Sequence, residues 1–271
     1  LLGLAAVCFA PLYAHLNQGQ ASLLVLASVI VAWALLEQDR PRWAGVVLSL
    51  SWAKPQLVLL CWPVLAWLAA RKGRSWPAFS GWLAGSLAQT IPLWVLDSSW
   101  PAGYLGALSA NPTWFQPNVH SLVAYWSRSE LLGWLVALLA LAMGGAWLIR
   151  VARQGGALAA LPWALALTPT LSPYTWSYDQ VLLLPLLVIT LRTAHPSLCR
   201  AIAWIAFLAC QGAYVALRLQ SSSDAWYAWF PPAMLVLAAC VAPPQQATSA
   251  AIWQETIGKD LSMDVNDHVQ A

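Results

Sequence analysis

WAGVVLSLSWAKPQLVLLCWPVLAWLAA, residues Trp43–Ala70, is apolar almost throughout and carries one cation, Lys54, near its middle, with Pro55 directly after it. A lysine at the centre of a membrane segment costs roughly 2.5 to 3.5 kcal/mol on insertion scales, so it is kept where it meets an anionic partner or a wet cavity. Pro55 withdraws a backbone donor and disfavours helix at Lys54, so a break is expected there. Broken backbone inside apolar sequence is tolerated where it lines a cavity. Two readings are open: Lys54 snorkels from a kinked helix to the interface, or it faces a polar cleft and meets a phosphate. The break favours the second, and Lys54→Met is then expected to leave folding intact while weakening phosphate binding.

The halves on either side of Lys54, of 11 and 16 residues, are each shorter than the roughly 20 needed to cross a bilayer. Basic residues stand at both ends, Arg40 and Arg42 before, Arg71, Lys72 and Arg74 after. This favours a re-entrant hairpin with Lys54 at its tip over one long kinked span.

Composition agrees. With 60% hydrophobic and 8% charged residues, the chain lies far from the quarter charged of soluble domains. The fold class is all-α, a polytopic transmembrane helical bundle. A net charge of +3, with its cations in short inter-helix clusters, reports topology and argues against a nucleic-acid partner. Five cysteines, Cys8, Cys61, Cys199, Cys210 and Cys240, show no CxxC and no ligand-like grouping with histidine, so they read as core thiols with no metal site.

Apolar runs are expected as helices over Leu1–Leu16, Ala21–Leu36, Pro77–Leu96, Leu131–Ile149, Ala157–Leu171, Gln180–Leu191, Ala201–Leu217 and Trp226–Ala242. Leu1–Ala10 is already apolar, without the pattern of a signal peptide, which places the start inside a larger protein. A long polar loop is expected over Asp97–Glu130. Residues 1–242 then form the transmembrane domain, lacking its N-terminal part, and 243–271 a flexible cytoplasmic tail. One set of connections holds Arg40, Arg42, Arg71, Lys72, Arg74, Arg150, Arg153, Arg192 and Arg200, and the opposite set Arg128 and Arg218. The first set is therefore cytoplasmic. The Lys54 tip, His15–Gln20, Asp97–Glu130 and Ser172–Asp179 fall on the other face, where an outward cleft could take a lipid-linked substrate.

Leu16-Asn-Gln-Gly-Gln20 precedes an apolar run, Ala44-Gly45 opens the segment that reaches Ala53-Lys-Pro-Gln56, and Asn118-Val-His-Ser121 and Leu171-Ser-Pro-Tyr-Thr-Trp-Ser-Tyr-Asp179 follow. In this order they resemble the signature of glycosyltransferase family 87, membrane enzymes of the GT-C superfamily that use polyprenyl-phosphate sugars and are typified by mannosyltransferases. The resemblance implies a GT-C-like bundle in the plasma (inner) membrane, multi-pass, with its active face extracytoplasmic. It implies inverting transfer of a hexose, mannose being typical, from a polyprenyl-phosphate sugar to a lipid or polysaccharide acceptor. It implies no cofactor besides the lipid-linked donor, which is substrate, with membrane lipid as the surrounding partner.

The superfamily's general base is an aspartate after the first transmembrane helix, so the catalytic residue is expected upstream of Leu1. Within the chain, Lys54 is the candidate for the donor phosphate, because a cation offsets charge on the departing phosphate. Asn17, Gln20, Asn118, Ser121 and Asp179 are candidates for substrate contacts. Asn118 reads equally as a helix N-cap. Asp179 reads slightly better as a carboxylate at a helix N-terminus than as a partner of Lys54. A transporter or flippase of a lipid-linked saccharide is the alternative function; a matching inverted half would mark it.

Overall fold

The computed structural model describes residues 8–109, 116–172, 174–193, 197–220 and 223–241. The tail expected from residue 243, and the first residues of the opening helix, lie outside them. Among the described residues there are helices and no strand.

The chain enters helix at Ala10, not through a continuous Leu1–Leu16 segment: Phe9 is extended, and Pro11 starts the first turn, where its missing N–H costs nothing. This helix, Ala10–Gln18, ends on Gly19 in the left-handed region (φ 59°, ψ 37°). Glycine takes that conformation without the penalty a Cβ would bring. The next helix, Ser22–Glu37, leaves at 115° to the first. Val25, Val29, Ala32, Trp33 and Leu36 put its inner face into the core.

Trp43–Ala70 folds as the hairpin. Helix Pro41–Leu48 passes into a 3-10 turn at Ser49–Ala53, a second 3-10 turn runs over Pro55–Val58, and helix Cys61–Arg71 returns. Lys54 between the turns leaves the helical region (φ −152°, ψ 75°), which a following proline disfavours. The two ends of the excursion meet. Lys72 donates to Glu37 at 2.8 Å and to the Leu36 carbonyl at 3.1 Å, and Arg74 grips Asp39 through Nε and Nη2 at 2.9 and 2.8 Å. Residues 37–39 and 72–74 therefore share one end of the bundle, and Lys54 lies at the far end of the loop between them.

Helix Ser75–Leu96 seals the hairpin on its outer side by backbone contact. A Cβ on Gly45 would lie 2.0 Å from the Ala78 carbonyl oxygen, and one on Gly81 would lie 2.0 Å from that of Arg42. Side chains are excluded at both crossings, which accounts for glycine at Ala44-Gly45.

The Asp97–Glu130 segment is not a loop. Helices cover Trp100–Ser109 and Val119–Ser127, because the segment carries its own stop and start signals. Asp97 accepts the Ser99 amide (2.9 Å) and hydroxyl (2.6 Å) just before the first. Asn118 caps the second, Arg128 ends it in the left-handed region, and Ser129 caps the helix that follows.

That helix runs from Glu130 to Leu171 with a break at Gly156 (φ 77°, ψ −178°), a region open to glycine and closed to other residues. The two arms fold back on each other: Trp147 meets Trp163 edge-on at 5.2 Å. The separate helices expected on either side of this point are present. Ser177–Leu183 forms a wholly buried 3-10 turn that packs on helices Ala10–Gln18 and Ser22–Glu37 and on the Glu130–Leu171 arms. Helices Leu184–Thr193, Ser197–Leu219 and Phe230–Val241 complete the bundle.

Glu130–Ala157, Ala201–Leu219 and Asp224–Val241 are long and apolar enough to cross a membrane, and the bent pair Ala10–Gln18 and Ser22–Glu37 passes the same test together. Ser75–Leu96 has the length, 22 residues, but Ser80, Ser86, Gln89 and Thr90 dilute it, so the crossing expected over Pro77–Leu96 is not among them. Of the cysteines, Cys61 is buried and Cys8 and Cys210 half-buried, but Cys240 is exposed rather than in the core.

Candidate functional site

Three segments far apart in sequence place a charged cluster at the hairpin tip. Lys54 Nζ stands 2.8 Å from Asp179 Oδ1, across 125 positions, and 3.2 Å from Ser22 Oγ. Ser22 Oγ itself donates to Asp179 Oδ1 at 2.5 Å. The other carboxylate oxygen, Oδ2, accepts the Trp176 amide at 2.9 Å. Asp179 therefore does what both readings of it required: one oxygen caps the 3-10 turn and the other pairs with Lys54. Its side chain is 0% exposed and that of Lys54 14%, so Lys54 is a cation anchored from within and not a snorkelling one.

The local sequence explains how the parts come together. The proline break turns the Lys54 side chain out of the helical path, and the Gly19 bend sets Ser22 at the start of its helix beside it. Ser-Tyr-Asp at 177–179 starts a tight turn in which the third residue reaches back to its own N-terminal amide. An ammonium next to a fully buried carboxylate gives the pair a small net charge, which is what allows it to sit among apolar helices.

The surroundings are aromatic and polar. Nζ of Lys54 lies 4.4 Å from the centroid of the Tyr178 ring, in cation–π geometry. Tyr178 stacks on Trp176 (6.3 Å, 15°), and Tyr174 stands edge-on to Trp176 (6.1 Å, 88°). His15, on the inner face of its helix, is buried, and its Nδ1 has no hydrogen-bond partner. On the far side of the turn, Asp224 accepts from the Ser177 hydroxyl at 3.0 Å and the Ser177 amide at 3.2 Å, and pairs with Arg218 at 3.4 Å.

The remaining candidates divide. Asn17 is exposed and Gln20 half-buried at the bend; neither bonds to Lys54 or Asp179. The Asn118 side chain accepts the Ser121 amide at 2.9 Å, so it is the N-cap of helix Val119–Ser127, and Ser121 supplies the amide it caps. Asn118 still connects to the cluster. Its Nδ2 donates to Gln116 Oε1 at 3.1 Å, which also accepts the Thr175 amide at 3.1 Å, one residue before Trp176. A run of hydrogen bonds thus leads from the Asn118 cap through Gln116 to the turn that carries Asp179.

Ser22, Gln116 and Asp224 are the members that sequence reading misses. Ser22 stands two residues after Gln20 and Gln116 two before Asn118, so both could have been found by extending the motifs outward. Asp224 lies in a polar turn with no pattern pointing at Ser177.

Chemically, the cluster offers one immobilised cation beside aromatic surface. Asp179 is not a candidate proton acceptor, because Oδ1 accepts from two groups, Oδ2 from a third, and the residue is sealed from solvent. Neither curated proteins nor solved structures yield a match to the chain. The family model for glycosyltransferase family 87 matches residues 1–173, a stretch that takes in the Gly19 bend, the Lys54 hairpin and the Asn118 cap and stops just before the Asp179 turn. With well over half its length matched, the chain belongs to glycosyltransferase family 87.

Proposed function

We propose that this glycosyltransferase moves a sugar, mannose in the first instance, from a polyprenyl-phosphate donor to a lipid or polysaccharide acceptor on the extracytoplasmic face of the plasma membrane. The observation that carries this reading is the Lys54 ammonium, fixed at a helix break by Asp179 and Ser22. An ammonium has three N–H donors. Two are taken by Asp179 and Ser22, and the third can serve a phosphate oxygen.

A cation pre-positioned beside a departing phosphate stabilises the charge that grows in the transition state without reorganising at that moment. Asp179 draws on the same ammonium, so Lys54 would bind an anion less tightly than a lone lysine would, and the gain is in placement. The acceptor hydroxyl must lose a proton to a base. Asp179, with both oxygens engaged by Lys54, Ser22 and the Trp176 amide, is not that base. Gln20 and Asn17, at the bend beside Ser22, are the groups nearest in sequence to offer hydrogen bonds to sugar hydroxyls. Family membership favours transfer over translocation of a lipid-linked saccharide.

The test is transfer by the purified full-length protein, with radiolabelled polyprenyl-phosphate mannose and GDP-mannose compared as donors. Release of polyprenyl phosphate with formation of a glycoside is the expected result. Transfer from the nucleotide sugar with no lipid intermediate would refute the donor assignment.

A further inference from the structure

Behind the turn that carries Asp179 stands a second carboxylate. Ser177–Leu183 is a short 3-10 turn, and the N–H groups at the start of a helical turn have no partner within it. Two consecutive ones are taken by carboxylates: Asp179 Oδ2 accepts the Trp176 amide at 2.9 Å, and Asp224 Oδ2 accepts the Ser177 amide at 3.2 Å. Asp224 Oδ1 also accepts the Ser177 hydroxyl at 3.0 Å, so Ser177 is gripped through backbone and side chain at once. The Tyr214 hydroxyl donates to the Ser177 carbonyl at 3.2 Å, and Gln180 Nε2 donates to the Tyr227 carbonyl at 3.0 Å. The turn is thus clamped by residues that all lie beyond the stretch 1–173 matched by the family model.

Asp224 suits this task. It opens its own 3-10 turn, Asp224–Tyr227, between helices Ser197–Leu219 and Phe230–Val241. Arg218 stands 3.4 Å from its Oδ1 and offsets its charge, and the Arg218 side chain, 35% exposed, can turn to water if that charge is removed. A carboxylate accepts both Ser177 donors together. An asparagine could accept the amide through its oxygen and donate to the hydroxyl through its nitrogen, whereas an alanine could do neither.

We propose that Asp224 is a positioning residue for the transfer: through Ser177 it fixes the turn that holds Lys54. Three groups meet the Lys54 ammonium, Ser22 Oγ, Asp179 Oδ1 and the Tyr178 ring, and the last two belong to the residues that directly follow Ser177. A shift of Ser177 moves both together. The cation stabilises the transition state only if it is already in place, and a misplacement of about 1 Å can cost on the order of 100-fold in rate. Ground-state binding is less demanding, because a lysine released from Asp179 keeps its charge and gains freedom to reach a phosphate. The step from Lys54 to catalysis rests on the proposed donor; the step from Asp224 to Lys54 does not.

The experiment uses the full-length protein and its Asp224→Ala, Asp224→Asn and Ser177→Ala variants, with thermal stability measured beside each. In transfer from polyprenyl-phosphate mannose, Asp224→Ala should lose about tenfold or more in kcat, with KM for the donor unchanged or lower. Asp224→Asn, which can keep both hydrogen bonds, should recover most of that loss. A folded Asp224→Ala protein with undiminished kcat, a loss confined to KM, or an asparagine variant as impaired as the alanine one overturns the proposal.

Lysine acetylation gives a readout that needs no donor. The folded proteins are treated with a trace of acetic anhydride and the modified lysines quantified by mass spectrometry. Lys72, paired with Glu37 at the other end of the hairpin, is the internal reference. Loosening the turn should raise acetylation at Lys54 and leave Lys72 unchanged, whereas a general loss of structure raises both. An equal rise at the two lysines, or none at Lys54, overturns the proposal. Ser177→Ala removes only the hydroxyl bond and should show the same pattern more weakly, which keeps the test decisive if Asp224→Ala does not fold. If the unsubstituted protein does not use the lipid-linked donor, the donor assignment fails and the acetylation alone decides the role of Asp224.

Discussion

Lys54→Met keeps much of the side-chain length and deletes the charge. On the sequence alone this change is expected to leave folding intact, because a lone lysine in apolar surroundings is a burden. The structure reverses that expectation. Asp179 is 0% exposed, and it would lose an ammonium at 2.8 Å. Removing one partner of a buried ion pair leaves an uncompensated charge and costs about 3–5 kcal/mol. The pair is asymmetric. Lys54 is 14% exposed on a flexible stem that can turn toward water if its partner is neutralised, and an asparagine at 179 still has an oxygen for the Trp176 amide. Asp179→Asn should therefore cost less than Lys54→Met. The double variant should be more stable than Lys54→Met alone, with a coupling energy of about 0.5–3 kcal/mol. Thermal unfolding of the purified protein in detergent, followed by tryptophan fluorescence, reads the effect. At about 2–4 °C per kcal/mol for chains near this size, Lys54→Met should melt lower by something on the order of 6–20 °C. A Lys54→Met protein that melts with the unsubstituted one, or a double variant no better than the single, would refute the buried-pair account.

Gly81→Ala puts a Cβ 2.0 Å from the Arg42 carbonyl oxygen; both groups are held by helix backbone, so the helices must part. The cost should reach the upper end of the roughly 1–3 kcal/mol of overpacking, seen as lost folded yield, whereas Gly103→Ala, whose Cβ meets nothing within 4 Å, should be neutral or better. Asn118→Ala removes the cap of helix Val119–Ser127 and should lower stability by about 0.5–2 kcal/mol. Because Gln116 ties that cap to Thr175, hydrogen exchange should rise at the Thr175 amide as well as at Ser121; a rise at Ser121 alone would sever the connection. Cysteines placed singly at 42 and 71 should show the same accessibility to a membrane-impermeant maleimide in intact cells, since residues 37–39 and 72–74 are joined by ion pairs. Opposite labelling would overturn the hairpin topology.

The parts of the fold that could be read from the sequence are those in which one residue acts alone on the backbone. Pro55 forbids helix at Lys54 and Gly19 permits a left-handed turn, whatever lies around them, and both breaks are where the sequence puts them. Gly156 does the same between the arms of the Glu130–Leu171 hairpin. Asp97–Glu130 departs from the polar loop expected because polar residues and prolines mark helix ends as well as loops: the Asn118 and Ser129 side chains cap helices, and Asp97 stands where one ends. Hydrogen-bonding side chains at helix ends and in loops are the same residue types, so composition alone does not separate the two.

The site was legible to the extent that charge inside apolar sequence demands compensation. Lys54 requires a partner on energetic grounds, and Asp179 lies in a motif already assigned to the same face. What linear sequence lacks is the bond between them. Asp179 also satisfies the local rule for a carboxylate in the first turn of a helix, and a residue with a sufficient local explanation gives no sign of a second role. The carboxylate has two oxygens, and the fold uses one for each role, Oδ2 for the Trp176 amide and Oδ1 for Ser22 and Lys54. That division also bears on chemistry: a carboxylate held from both oxygens is well suited to fixing a cation and poorly suited to taking a proton, so the residue that most resembles an active-site acid in this cluster is the one that geometry assigns to positioning Lys54.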